Sequence, residues 1–366
     1  MLDKITIVIP TYKRYPFLLR LLQFYSSYNL VIKFLILDST PKYPKDKRLE
    51  KILSMKNIQW KRYDPDIFFV DKIARGCQSI QTDYAVLCAD DDFIIPSTLR
   101  SCVEFLNTHQ DYSSAHGLYF SHPNSDSLKN KSFTLWFSDG HSISDKSPIE
   151  RLQAYLCRVD GKGYVPHYSV HRSNQFKLIW TETQNYVSDW GMSEIFPCCM
   201  SLIYGKMKVL REFYASREKN NYHFIDNVKV NNMFSKMKLE TSIEGLTKHL
   251  TSKYNIELNQ AELFLKDSLE VIIERVRNSY IDISANKYNN RIDDKNGSTL
   301  RIVRNFLRPR SRLKNLFNYY DNVYYKNCPR ILRKDYFNDY LKVRDAVILA
   351  RLTSDELNIS RIDATS

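Results

Sequence analysis

Tyr84-Ala-Val-Leu-Cys-Ala-Asp-Asp-Asp-Phe-Ile-Ile-Pro96 is the stretch on which the fold turns. An apolar run of strand length ends in three consecutive carboxylates, and a proline suited to a helix start follows. Hard oxygen ligands of this kind hold magnesium or manganese, which reach a substrate diphosphate through one or two carboxylates. Three adjacent carboxylates repel one another unless a cation or buried polar groups offset their charge. The competing account is an acidic turn that caps the next helix, with Ser97 or the aspartates at its N-terminus. Asp90–Asp92 by themselves leave both accounts open.

On either side of this stretch, strand and helix patterns alternate. Lys4–Ile9 is a β-branched run closed by Pro10, and Phe17–Tyr25 has helical apolar spacing behind Pro16. Val31–Leu37 reads as a strand ending at Asp38, Lys47–Met55 as a helix and Ile58–Arg62 as a short strand. Phe68–Ile80 and Pro96–Asn107 read as helices, Tyr84–Ala89 and Ala115–Phe120 as strands. This order predicts an α/β domain with a mainly parallel sheet covered on both faces. Such sheets bind ligands outside the carboxyl ends of their strands, where the strand order switches. Thr11–Arg14, Asp38 and Asp90–Asp92 all fall there.

Residues 121–165 read as an irregular polar excursion, a kind of loop that is often functional. Apolar periodicity returns from about 170 to 215, and residues 216–366 read as a mostly helical C-terminal region. Its clearest helix is Leu258–Tyr280, with Leu263, Leu265, Leu269, Ile272, Ile273 and Val276 placed on one stripe, and 286–298 reads as a linker.

The 366 residues, 43% hydrophobic and 13% aromatic with only 9 glycines, argue for a substantial core and against disorder. No apolar run approaches the ~20 residues that span a bilayer, and the first residues lack the pattern of a signal peptide. Seven cysteines without a C-x-x-C spacing suggest free thiols in a reducing cytoplasm, with Cys198-Cys199 packed in an apolar stretch. The net charge is +13, and residues 301–334 carry ten basic residues against one acid, Asp321. Arg301–Phe317 interleaves arginines with bulky apolar residues and is broken by Pro309. That pattern suits an amphipathic segment on an anionic membrane surface, or a helical subdomain whose arginines stay hydrated. Nucleic acid is not an expected partner, because no recognisable RNA- or DNA-binding module accompanies the charge.

Three segments in order, Ile5-Thr-Ile-Val-Ile-Pro-Thr-Tyr-Lys-Arg14, Leu35-Ile-Leu-Asp-Ser-Thr40 and Ala89-Asp-Asp-Asp92, resemble bacterial family 2-type glycosyltransferases. The resemblance covers roughly residues 1–215 and implies a GT-A fold, a Rossmann-related nucleotide-sugar domain. It implies that Pro10, Thr11, Tyr12 and Arg14 touch the nucleotide and that Asp38 bonds its base. Asp90 and Asp92 match the D-x-D acids, with Asp92 as the direct ligand of Mn2+ or Mg2+ and Asp91 on the ribose or sugar. Lys72 and Arg75 match only partly a basic element beside the donor, since Gly76 follows Arg75. A solvated helix face is their alternative role.

In this family a Glu-Asp pair about eleven residues before a glycine supplies the base. Counting back from Gly205 gives Glu194, but the pair is absent, and Asp189 is the second candidate. His171 and Arg172 are read as diphosphate or acceptor contacts, or equally as structural polar residues, and Arg217 as part of a segment covering the nucleotide. The implied activity is metal-dependent, inverting transfer from a nucleoside-diphosphate sugar, UDP-linked, to a glycan or lipid-linked glycan acceptor of surface polysaccharide, lipopolysaccharide or capsule. The implied location is the cytoplasm, peripherally on the inner face of the membrane. The rivals are a nucleotidyltransferase, whose usual glycine-rich loop is missing here, and a non-catalytic GT-A-like scaffold that binds through residues 301–334.

Overall fold

The computed structural model describes residues 1–28, 30–122, 133–135, 141–157, 166–218, 236–273, 328–332 and 334–348. The linker 286–298 and residues 301–327 of the basic segment lie outside the described residues.

The first half follows the predicted alternation: β1 (Ile5–Thr11), α1 (Tyr15–Ser26), β2 (Lys33–Asp38), α2 (Lys47–Leu53), β3 (Ile58–Arg62), α3 (Phe69–Cys77), β4 (Tyr84–Leu87), β5 (Phe93–Ile94), α4 (Pro96–Thr108) and β6 (Tyr112–His122). Next come β7 (Thr134–Leu135), α5 (Pro148–Leu156), β8 (Val170–Arg172), α6 (Ser173–Tyr186), α7 (Met192–Tyr204), β9 (Lys206–Glu218) and α8 (Lys236–Tyr254). Helix α5 lies inside the stretch read as an irregular excursion. Its signal was present in Ser147-Pro-Ile-Glu150, which forms a capping box that satisfies both exposed amides.

The strands form one sheet in the order β3-β2-β1-β4-β8-β6-β9-β5, with β7 on β6. β3, β2, β1 and β4 are parallel, β8 runs against both neighbours, β9 is parallel to β6, and β5 is antiparallel to β9. The order reverses direction at β1, so its carboxyl end is the switch point. Period-two alternation divides the sheet residues between two cores. Ile5, Ile7, Ile9 and Ile36 pack beneath α1 and α4, while Val8, Leu35 and Leu37 pack beneath α3 and α6. Each such side chain contributes about 1.5–3 kcal/mol when fully buried. Gly76 lets α3 approach β2, since a Cβ there would fall 2.4 Å from a Leu37 methyl.

Beyond β9 the described residues are mostly helical, as expected, but their packing crosses the expected boundary, which falls inside β9. Helix α8 and the helical residues 258–273 cover α6 and α7 through Ile243, Leu246, Leu250, Leu265 and Leu269. Leu263 departs from the predicted stripe and is 62% exposed. Two residues on from Leu263 is a turn of about 200°, so it cannot share a face with Leu265. Val276 lies outside the described residues. Farther on, Cys328, Leu332, Tyr340, Val343 and Val347 join the core around α1 and α4, where Tyr28 donates to Asp339 Oδ1 at 2.7 Å. All seven cysteines are free thiols. Among the described residues no helix is long and apolar enough to cross a membrane.

Candidate functional site

The carboxyl ends of β1, β2, β4 and β9 meet at one edge. The β1–β2 register sets Thr11 beside Asp38, and Cys88 donates its amide to the Val8 carbonyl, which extends the β1–β4 pairing toward the aspartates. The triplet therefore emerges against the loop after β1, where Pro10 is half-buried, Tyr12 is 40% exposed and Lys13 holds a left-handed φ of 56°. This backbone conformation costs a non-glycine residue about 1–2 kcal/mol. It is secured by a 2.8 Å bond from the Lys13 amide to the Thr40 hydroxyl, and Arg14 follows it toward the acids.

The three aspartates are all buried. Thr11 donates to Asp90 Oδ2 at 2.8 Å, and Arg14 spans Asp90 at 3.3 Å and Asp91 at 2.5 Å. Asp92 instead faces Arg217 of β9, with Nε 2.9 Å from Oδ2. Burial pushes the Asp90 carboxyl up to about 7 against the pull of Arg14. Asp92 is likewise pushed to about 7 against Arg217. Behind them Arg20 pairs with Glu218 at 2.6 Å and donates to the Asp91 carbonyl at 2.8 Å.

At the end of β2, Asp38 is fully buried and well supplied with donors. It accepts from the Thr40 amide at 2.7 Å, the Tyr15 hydroxyl at 2.8 Å, Trp60 Nε1 at 3.2 Å and Arg62 at 2.6 Å. It stands at the carboxyl end of β2 beside Thr11, and these protein groups already engage its oxygens. Buried Lys72 ties the two strand ends together, donating to the Thr11 carbonyl at 3.0 Å and the Ser39 hydroxyl at 2.9 Å. Burial lowers its ammonium to about 8, with Asp38 and Asp90 acting in the opposite direction. Arg75 is exposed on α3 and falls to its solvated role.

Glu194 stands in the first turn of α7. Its side chain is exposed, yet the surrounding protein pushes its carboxyl above the usual range while Arg217 pulls it down. Arg217 thus acts on both Asp92 and Glu194, with its guanidinium 5.1 Å from the centre of the Tyr168 ring. Asp189 is buried, and its Oδ1 accepts the Met192 amide at 2.9 Å, which makes it a cap of α7.

Two expected contacts lie elsewhere. Because β8 is antiparallel to β4, its last residue reaches the opposite edge, where Arg172 pairs in register with Tyr84. There Arg172 donates to the carbonyls of Tyr112, Leu106 and His109 and closes the end of α4. His171 is buried in the sheet between the Ser169 carbonyl at 2.8 Å and the Ser201 hydroxyl at 2.9 Å. Burial lowers its imidazole to about 4, so it is neutral and structural. Arg20, Glu218, Arg62 and Tyr15 join the carboxyl-end edge without standing among the expected residues. Arg20 did carry a signal, since it shares the helical face of Phe17 and Phe24, and a charge on a core-facing stripe needs a partner.

The donor chemistry of the acidic edge fits a hard divalent cation. Asp90 and Asp92 are oxygen donors whose arginines do not offset the cost of burial. Among the described residues no three His, Cys, Asp or Glu side chains converge. A cation here would complete its shell with substrate oxygens or water, as magnesium commonly does.

No protein-family model matches the chain, and no curated protein matches it. Solved structures do. S. aureus TarS 1–349 in complex with UDP-GlcNAc aligns with a TM-score of 0.51 at 12% identity, over 96% of this chain and 92% of that one. Another structure of S. aureus TarS 1–349 aligns at 0.49 with 11% identity, over 96% and 91%, and the complex with UDP at 0.46 with 12% identity, over 96% and 91%. The first of these shows a shared fold that includes the C-terminal helices: an α/β domain of the expected GT-A kind.

Proposed function

We propose that this chain is a metal-dependent, inverting glycosyltransferase that moves a sugar from a UDP-linked donor to a hydroxyl of a glycan acceptor. One observation carries the reading: Arg217 pairs with Asp92 of a buried acidic triplet at the switch point, and its charge also acts on an exposed carboxylate, Glu194, held above its usual range. The UDP-GlcNAc bound by the structurally similar TarS makes UDP-linked N-acetylhexosamines the first donors to try.

Asp92 and Asp90 would hold Mn2+ or Mg2+, which when bound neutralises charge on the departing diphosphate. Arg14 and Arg217 lie within reach of the same edge and offer guanidinium donors to phosphate oxygens. Glu194 accepts the proton of the acceptor hydroxyl as that oxygen attacks the anomeric carbon, so inversion follows from a single displacement. Its raised carboxyl is a stronger base than an ordinary glutamate, and its exposure lets the proton pass on to water. The acceptor belongs to surface polysaccharide, lipopolysaccharide or capsule synthesis, with residues 301–334 docking the enzyme on the inner membrane face.

Thermal shift with UDP, with and without manganese, tests donor binding. Stabilisation that requires both is expected, and its absence refutes the reading. Glu194→Gln is expected to leave that shift intact and to cut transfer by about 10²–10⁴-fold. Undiminished turnover would remove Glu194 as the base.

A further inference from the structure

Tryptophan is highly buried on average, yet Trp190 is 59% exposed. It is not a loose side chain. Its ring lies parallel to Phe69, with centroids 4.9 Å apart and planes 6° apart, and meets Phe68 edge-on at 5.5 Å. Phe69 in turn meets the fully buried Trp180 at 6.3 Å, so the stack is anchored in the core. One indole face is therefore covered by Phe69, and the exposure belongs to the other.

The backbone beneath the ring is equally fixed. The Ser193 hydroxyl donates to the Trp190 carbonyl at 2.6 Å, and Asp189 caps the same turn through the Met192 amide. Trp190 lies in the turn that leads into α7, and Glu194 stands in the first turn of that helix. The indole and the proposed base are thus carried by adjoining turns of the chain. Phe68 and Phe69 begin α3, whose Lys72 touches the ends of β1 and β2, so the stack stands at the binding edge of the sheet.

We propose that Trp190 is the stacking floor of the acceptor subsite and that its ligand is a pyranose ring of a saccharide. The inference rests on the glycosyltransferase reading. A pyranose presents one face of C–H groups and a rim of hydroxyls. The C–H face packs on an indole while a rim hydroxyl is directed to the carboxylate nearby. A fixed aromatic loses little conformational freedom on binding, which suits a weakly held acceptor that must leave after one transfer.

Saturation-transfer NMR tests this with the intact chain in magnesium buffer, using UDP, methyl β-glucoside, methyl β-galactoside and methyl N-acetyl-β-glucosaminide as probes. The expected result is saturation of glycoside ring C–H protons that falls about fivefold in Trp190→Ala and is largely kept in Trp190→Phe, with the UDP signal unchanged. Equal glycoside signals in wild type and Trp190→Ala overturn the proposal, as does UDP binding without any glycoside contact. A UDP signal lost in Trp190→Ala would also overturn it, by making the indole a nucleobase floor. A wild-type dimer that Trp190→Ala dissolves would assign the face to a second copy instead. Absence of UDP binding in the wild type would strike the glycosyltransferase reading itself, whereas glycoside contact at Trp190 is read independently.

Discussion

The acidic triplet should make the ligand-free protein less stable as pH rises through neutrality, and a divalent cation should reverse that. Asp92 titrates near 7 in the folded chain instead of its usual 3.8, because burial penalises its charged form more than Arg217 rewards it. A group raised in this way gives its full stabilisation below 3.8, and the contribution is lost as pH rises to 7. Taken alone, ionising it in the folded state costs about 4 kcal/mol, somewhat over half of which falls between pH 5 and 8. A chain of this length changes its melting temperature by about 1–2 °C per kcal/mol, so Asp92 should lower Tm by about 3 °C across that interval. The assay is Tm against pH in chelator, for wild type and Asp92→Asn, because their difference cancels the titrating groups that do not interact with Asp92. Saturating Mn2+ should then raise the wild-type Tm more at pH 8 than at pH 5 and act only weakly on the variant. Parallel Tm curves for the two proteins, or an equal manganese effect on both, would refute the assignment of Asp92 as a buried carboxylate poised for a cation.

Two further perturbations separate structure from chemistry. Arg20→Met leaves Glu218 buried without its 2.6 Å partner and should cost about 3–5 kcal/mol in chemical denaturation, while Arg20→Met with Glu218→Leu should recover most of that loss; a double variant no better than the single one refutes the pairing. Arg172→Ala removes donors from three carbonyls at the end of α4 and should destabilise by about 1.5–3 kcal/mol, with UDP affinity unchanged in isothermal titration. Weakened UDP binding there would return Arg172 to the donor site.

The sheet edge could be read from the sequence because it is encoded locally. β1 and β2 end β-branched or apolar runs on Thr11 and Asp38, the apolar run of β4 leads within three residues to Asp90, and in parallel strands those ends face the same way. Strand direction is not encoded so locally. His171 and Arg172 read equally as ligand contacts or as structural polar residues, and the choice turns on β8, which runs against its neighbours and carries Arg172 to the far edge. The identity of the partners was also hidden, since Arg217 meets Asp92 across 125 residues of chain and Arg20 meets Glu218 across 198. Such pairings are set by packing, not by pattern. The aromatic stack was hidden in the same way, since it needs the start of α3 and the turn before α7 to be placed together.

The charge inventory of the edge bears on how a donor could enter. Asp90, Asp91, Asp92 and Glu218 supply four carboxylates, and Arg14 and Arg20 from the N-cap and body of α1 and Arg217 from β9 supply three guanidinium groups facing them. Arg62 is taken up by Asp38, and Lys72 is held low enough to be only partly charged at alkaline pH. A nucleoside diphosphate adds further negative charge to this already acidic edge. If Arg14 and Arg217 turned to the phosphates alone, they would leave buried carboxylates uncompensated, which costs several kcal/mol each. A divalent cation entering with the donor would remove the conflict: Asp90 and Asp92 would hold it, and the charge it supplies would free Arg14 and Arg217 for the phosphates. Glu194 would then lose part of the positive field of Arg217, and its basicity would rise with the donor in place. Donor loading and activation of the base would then be one electrostatic event, passed through Arg217.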